Sequence, residues 1–218
     1  MNQEQIWSQR YGDAGDDYLF GTAPNRFLAQ RQACFENGHS VLSVADGEGR
    51  NSVWLAAQGL AVTAVEISPV ALEKARRLAN GRHVRVDFML ADMLAADWSP
   101  RAMHEAFDWV VGIFIQFVDP AGRSRQFDVL KQLAAPGGRV LLQGYTPKQL
   151  EYRTGGPSAV ENLYTEAILR AEFAGWEIEE LVEYEDEINE GSGHRGRSAL
   201  IGMIARKPVQ ESRAYCPA

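Results

Sequence analysis

The stretch Val41-Leu42-Ser43-Val44-Ala45-Asp46-Gly47-Glu48-Gly49-Arg50-Asn51 does most to limit the folds open to this chain. An apolar run suited to a buried strand, 41–45, stops at a Gly-x-Gly turn and passes directly into a helical pattern over 52–58. Glycines at such a turn accept left-handed backbone and let the main chain approach a ligand with no β-carbon between them. The helix that follows presents unpaired N–H groups to the same place. Tight strand-to-helix turns also carry glycines for conformational reasons alone, so the motif needs context.

That context comes nineteen residues beyond Gly47. Residues 60–66 form a second apolar run that ends on Glu66, and Ser68-Pro69 then supplies a cap and a first-turn proline for the next helix. Glu66 therefore falls at a strand's C-terminal tip. In an open parallel sheet ligands bind beyond those tips, and an acid there can accept both hydroxyls of a ribose. An ordinary surface glutamate closing a strand is the plain alternative. At this point a nicotinamide dinucleotide and S-adenosylmethionine both remain open as cofactors.

Strand-like runs recur at 84–90, 107–114 and 138–144, with helix-length segments at 69–80 and 120–134, the latter opening on Asp119-Pro120. Strands alternating with helices predict a mostly parallel sheet covered on both faces. Upstream, residues 7–28 read as an aromatic, glycine-rich lead-in, and Phe27, Leu28, Gln32 and Phe35 keep helical spacing up to Asn37-Gly38. Downstream, a loop over 146–157 leads to a helix expected from Ser158, whose Ser158-x-x-Glu161 is a capping box. Residues 176–188 alternate through Ile178, Leu181 or Val182, and Tyr184, with eight acids between Glu177 and Glu190. A turn over 191–196 then leads to an apolar strand, 199–205, so the last two strands pair antiparallel. The acidic run reads as a solvated strand face.

With 218 residues, 45% of them hydrophobic, the chain suits one α/β domain over 1–207: a lid or helix segment over 1–37, a sheet core over 38–207, and a disordered tail over 208–218. A net charge of -7 without a basic stripe argues against nucleic acid as partner. Cys34 and Cys216 have no framework spacing, and His39, His83, His104 and His194 have no ligand spacing, so neither disulfides nor a metal site are expected. No leader-like start or membrane-length apolar run is present, and a reducing cytoplasm fits the cysteine usage.

The dinucleotide fingerprint asks for a third glycine where Gly47-x-Gly49-x-x-Ser52 has serine, which weakens the nicotinamide reading. Nearly the whole chain instead resembles the class I S-adenosylmethionine-dependent methyltransferases, in the branch of tellurite-resistance (TehB-like) and thiopurine methyltransferase-like proteins. The residues that carry the resemblance are Tyr18-x-Phe20-Gly21-Thr22-x-Pro24-Asn25-x-Phe27-Leu28, Gly47-Glu48-Gly49-Arg50-Asn51-Ser52-x-Trp54-Leu55-Ala56, Val65-Glu66-Ile67-Ser68 and Gly193-His194-x-Gly196-x-Ser198-Ala199, the Gly-Glu-Gly-Arg-Asn run being the most specific. It implies a doubly wound, seven-stranded sheet ending in an antiparallel hairpin. It also implies that Ala45, Asp46 and Gly47 line the methionine portion of S-adenosylmethionine, with Gly49 and Asn51 in the same loop, and that Glu66 takes the ribose hydroxyls. Asp92 would accept from the adenine amino group, the Met93 backbone would read the ring edge, and Ile67 and Met93 would sandwich it. Gly112, Ile113 and Phe114 would close the site beneath the sulfonium. The chain departs from the pattern at Ser43-Val44-Ala45-Asp46, where the acid usual within the first strand has moved into the loop and alanine replaces glycine.

Methyl transfer from a sulfonium is a displacement in which alignment does most of the work. For a soft sulfur, selenium or tellurium nucleophile no base is required. His194 and Tyr145 are the catalytic candidates, Gln116 and Arg195 the acceptor-binding ones, and Trp7 and Tyr11 candidate lids over the adenosine, or else packing for the N-terminal segment. The expected activity is methylation of a small-molecule acceptor. A non-catalytic S-adenosylmethionine-binding module and, more remotely, a nicotinamide-dependent oxidoreductase are the other readings.

Overall fold

A computed structural model describes residues 2–95, 98, 103–104 and 106–209. The expected tail is therefore seen only at Pro208 and Val209, and 210–218, with Cys216, lie outside the described residues. Strands β1 (Ser40–Val44), β2 (Ala61–Glu66), β3 (Asp87–Leu90), β4 (Phe107–Ile113), β5 (Ala134–Tyr145), β6 (Glu177–Glu190) and β7 (His194–Arg206) form one sheet in the order β3-β2-β1-β4-β5-β7-β6. The first five run parallel, and β7 inserts antiparallel between β5 and β6. This is the doubly wound sheet with a C-terminal hairpin anticipated above.

Helices α1 (Gln3–Asp13), α2 (Arg26–Ala29), α3 (Arg50–Ala57), α4 (Pro69–Gly81), α5 (Pro120–Leu133), α6 (Gln149–Tyr152) and α7 (Glu166–Glu172) surround it. The predicted caps hold: the Ser68 hydroxyl accepts from the Ala71 N–H at 3.2 Å and the Asp119 carboxylate from the Gly122 N–H at 2.8 Å. One core layer gathers Leu42, Val110, Phe127, Leu130 and Leu142 on one side of the sheet, and a second gathers Phe27, Leu55, Trp109 and Leu141 on the other. Near-continuous burial along β1 and β4 is what two covered faces require.

Four local expectations are corrected. The aromatic lead-in contains a true helix, α1, closed at its start by a reciprocal Asn2–Gln5 capping box. The single helix expected over 25–37 is broken into α2 and a 3-10 turn, Gln32–Cys34, because Asn25 caps a first turn that must tuck Phe27 and Leu28 under the sheet. Gly202 makes room there: a β-carbon on it would lie 2.1 Å from the Phe27 ring. The capping box expected at Ser158 does not form: a 3-10 turn, Val160–Asn162, starts from Ala159 with no side-chain cap, and the helix waits for Thr165, since the Tyr164 N–H is drawn to the Tyr145 carbonyl at 2.9 Å. The third strand begins at Asp87 rather than 84, because the Val84 N–H is spent on the carbonyl of Ala79 at the end of α4.

The ambiguity between Leu181 and Val182 also has a cause, a register shift between Ile178 and Glu180. The acidic face of β6 lies along the sheet edge, where charge discourages pairing with another strand. Several of its acids meet basic side chains, as Arg26 does Asp186 at 2.8 Å and Arg139 does Glu179 at 2.7 Å.

Candidate active site

Strand order reverses between β1 and β4, and in open α/β sheets the crevice forms at that reversal. The chain segments that leave β1, β2, β3 and β4 all turn there, at 45–51, 65–67, 91–94 and 113–117, and α1 with Phe20 roofs them over. They enclose a cleft of about 940 Å³, counted to its open mouth.

The turn after β1 has left-handed backbone at Ala45 (φ 47°), Gly47 (φ 64°) and Gly49 (φ 88°). Gly49 does not line the cleft. It lets α3 lie against α4, since a β-carbon there would be 2.7 Å from that of Ala75. Ala45 adopts without a glycine's freedom a conformation that costs roughly 1–2 kcal/mol. Asp46 is buried and its two oxygens accept from the hydroxyls of Ser43, at 2.7 Å, and Ser52. Burial pushes its carboxyl up, and those donors oppose the shift.

Glu66 is 4% exposed and joins the turn to β2. One oxygen accepts from the Gly47 N–H and the other from the Ser68 N–H, each at 2.8 Å. Burial again raises the carboxyl above its usual range, against the backbone N–H groups of Ser68, Gly47 and Ile67. Asp92 accepts from the Leu94 N–H at 2.9 Å, so it is a local cap and a cleft wall together. Ile67, Met93, Ile113 and Phe114 line the cleft as well, and so does Asn51, whose side-chain oxygen takes the Asn25 N–H at 2.9 Å. Gly112 does not: a β-carbon there would press on Ile115 and Leu142 in the core.

Trp7 and Tyr11 stack at 5.8 Å on the cleft side of α1. The segment that carries them is held by Lys74, a buried cation on α4 that the sequence did not single out. Its ammonium donates to the carbonyls of Tyr11 (2.8 Å) and Asp17 (2.7 Å) and to the Glu48 carboxylate (2.9 Å).

A second chamber of about 1320 Å³, again counted to its mouth, adjoins the first and shares with it Trp7, Phe20, Phe114, Phe117 and His194. His194 stands at the junction, its ring 4.5 Å from Phe20, 4.6 Å from Phe114 and 5.8 Å from Tyr145. Burial lowers its basicity below that of a free histidine, opposed by Glu190 and assisted by Arg50. The Tyr145 hydroxyl is buried without a hydrogen-bond partner, and burial raises it far enough to stay protonated at neutral pH. Gln116 lines this chamber but spends its amide on the protein. It accepts from the Tyr145 N–H at 2.6 Å and donates to the carbonyls of Tyr145 and Asn162 at 2.9 and 3.2 Å. Arg195 is exposed and lines neither chamber, because strand alternation turns it away from its neighbour His194.

Sequence reasoning also missed Arg50 and Glu190. The Arg50 guanidinium, 8% exposed, reaches a Glu190 oxygen at 2.8 Å, and the same oxygen lies 3.7 Å from His194 Nδ1. Burial raises the Glu190 carboxyl but His194 and Arg50 outweigh it, holding it at about 2. Arg50 had a signal, its place in the Gly-Glu-Gly-Arg-Asn run; Glu190 had none, being one acid among eight. Among the described residues no cluster of His, Cys, Asp and Glu is arranged to hold a metal, and no helix is long and apolar enough to cross a membrane.

A sheet of this order, with a glycine turn, a strand-tip acid and a roofed cleft at its reversal, is the Rossmann-like methyltransferase fold. Residues 41–138, a little under half the chain, match the methyltransferase domain family. Among solved structures, the chain is similar over 97% of its length to a protein described under the conversion of a disulfide bond into a thioacetal group during echinomycin biosynthesis (TM-score 0.79, 18% identity, 94% of that protein covered). TehB from Haemophilus influenzae is similar over 94% of the chain and 66% of its own length, with a TM-score of 0.68 and 21% identity. An S-adenosylmethionine-dependent methyltransferase from Methanosarcina mazei is similar over 86% of the chain and all of its own (TM-score 0.68, 18% identity). No curated protein sequence matches the chain.

The residues present suit S-adenosylmethionine. Arg50 Nη1 is buried with no partner in a side chain that lines the cleft, so an anion is wanted at the end of the cleft where the glycine turn lies. The Glu66 carboxylate and the apolar pair Ile67 and Met93 in the wall suit a ribose and a flat base on the other side.

Proposed function

We propose that this methyltransferase methylates a small-molecule acceptor held in the second chamber, by direct in-line transfer. The observation that carries the reading is the junction itself: two chambers that meet at Phe114, Phe117, Phe20 and His194 allow donor and acceptor to approach end to end. In the cleft, Glu66 holds the ribose hydroxyls, Asp92 the adenine amino group, Ile67 and Met93 the faces of the base, with the Met93 backbone at its edge. Ala45, Asp46, Gly47 and Asn51 receive the methionine end, and Arg50 Nη1 takes its carboxylate. Trp7 and Tyr11 exclude water from above; Ile113 and Phe114 support the reacting centre from below.

Bound S-adenosylmethionine supplies a sulfonium methyl with a good leaving group already attached. The protein's part is alignment and dryness, and such positioning is worth roughly 7–11 kcal/mol. His194, uncharged at neutral pH, is the group that can take a proton from the acceptor, and Tyr145 donates a hydrogen bond to it. Among the described residues no carboxylate lines the acceptor chamber, and Arg10 stands in its wall beside Trp7, Phe114 and Phe117, which favours a polarisable or anionic sulfur, selenium or tellurium nucleophile over a cationic amine.

Calorimetric titration of the purified protein with S-adenosylhomocysteine, beside a Glu66→Ala variant, tests the cofactor half of the reading. Binding by the wild type that is lost in the variant is expected; a wild type that does not bind refutes it. Turnover of labelled S-adenosylmethionine with thiol, selenite and tellurite acceptors tests the other half. Absence of transfer to any acceptor in a protein that binds the cofactor would favour a non-catalytic binding module.

A further inference from the structure

Two atoms that want a hydrogen bond face each other without making one. Glu190 Oε2 and His194 Nδ1 are both buried, neither has an aligned partner, and they stand 3.7 Å apart. Two contacts hold Glu190 back. Its other oxygen takes the Asn25 side-chain N–H at 3.0 Å, while Oε2 is paired by charge with Arg50 Nη2 at 2.8 Å, in an orientation that does not complete a hydrogen bond. Arg50 in turn has Nη1 buried and unpartnered in the wall of the cofactor cleft. One guanidinium thus touches the cofactor cleft with one nitrogen and, through Glu190, the histidine of the acceptor chamber with the other.

We infer that Glu190 is a positioning residue that couples the two chambers: when a carboxylate occupies Arg50 Nη1, Glu190 is released toward His194 and closes the 3.7 Å gap. The inference rests on the cofactor reading above. An anion on the guanidinium neutralises the charge that restrains Glu190 and that also repels a proton from His194. A carboxylate bonded to Nδ1–H fixes the ring tautomer and leaves Nε2 as the basic atom, directed away from Glu190. Both changes favour the protonated imidazole, so His194 becomes a competent base only once the methyl donor is seated. Among the described residues, the charged and titratable groups facing the ring are Arg50 from α3, Glu190 from β6, Tyr145 from β5 and Arg10 from α1, and of these Arg50 lines the cofactor cleft.

The test follows the imidazole directly. Nuclear magnetic resonance titration of the full chain labelled at histidine carbon is run without ligand and with saturating S-adenosylhomocysteine, with His39, His83 and His104, none of which lines either chamber, as internal references. The expected result is a His194 midpoint below that of a free histidine in the empty protein, moving upward by about half a pH unit or more on binding. Glu190→Gln, which keeps shape and hydrogen bonding but not charge, should still bind S-adenosylhomocysteine and lose most of that movement. A downward shift, no shift, or a full shift in a binding-competent Glu190→Gln would overturn the coupling while leaving the cofactor reading intact. Failure of the wild type to bind S-adenosylhomocysteine in the same samples would overturn both.

Discussion

The hydroxyl of Tyr11 lies so close over Gly47 that a β-carbon on the glycine would sit 2.8 Å from it. The N-terminal helix is therefore part of the glycine turn's environment, and Gly47 is needed twice, for its positive φ and for that closeness. Gly47→Ala is expected to weaken S-adenosylhomocysteine binding by about tenfold or more, since the backbone alone costs roughly 1–2 kcal/mol and the ring must also move. Gly47→Ala with Tyr11→Phe, which removes the clashing oxygen, should recover part of the loss in the same calorimetric assay. No recovery would mean that the backbone strain alone decides.

Lys74 ties that helix to the glycine turn, donating to the Tyr11 carbonyl in α1, to the Asp17 carbonyl just beyond it and to the Glu48 carboxylate. Replacing it by methionine strands the Glu48 carboxylate, 3% exposed, without a cation. Removing one partner of a buried pair costs about 3–5 kcal/mol. Urea unfolding should show a loss of that order, and trypsin should cut within 3–18 sooner than in the wild type. Lys74→Met with Glu48→Gln should be more stable than Lys74→Met alone.

Gln116 bridges Tyr145 and Asn162 but does not reach the cofactor cleft. Gln116→Ala should leave S-adenosylhomocysteine affinity within about twofold while lowering kcat/KM for an acceptor by roughly tenfold or more, because the Tyr145 N–H and the Asn162 carbonyl lose their partner and the wall of the acceptor chamber slackens. Equal losses in both assays would place its influence elsewhere.

The charged junction makes stability depend on pH with a definite sign. Glu190 is held at about 2, below its usual 4.5, so its contribution is complete above pH 4.5 and lost as pH falls from 4.5 toward 2. That contribution is of the order of 3 kcal/mol. His194 is lowered from 6.5, so the folded state resists its protonation and stability also declines as pH falls below 6.5. Asp46 and Glu66, both raised, act in the opposite direction: the folded state binds their protons more readily, and stability returns as pH falls through their raised values. Unfolding free energies of wild type and Glu190→Gln should therefore differ most near neutrality and converge between pH 4.5 and 2. A constant difference across that range would show that Glu190 acts by packing and not by charge.

The parts of this protein legible in its sequence are those fixed by neighbours along the chain. The strand, glycine turn and helix at 41–57, the caps at Ser68 and Asp119, and Glu66 at a strand tip follow from burial and backbone chemistry within a few residues, and the parallel alternation then sets where a cleft must open. The tertiary structure decided what depends on distant segments meeting. Whether 25–37 stays one helix was settled by the place Phe27 finds under Gly202, and whether Ser158 starts a helix by the pull of the Tyr145 carbonyl on the Tyr164 N–H. Arg195 was indistinguishable from His194 in the sequence until β7 was given a register, after which one faces solvent and the other the junction. Glu190 became separable from seven similar acids only when the hairpin brought it to Arg50, 140 positions earlier in the chain. Long-range electrostatic partners leave no periodic trace in a sequence, because their spacing is set by the fold and not by the pitch of a helix or the pleat of a strand.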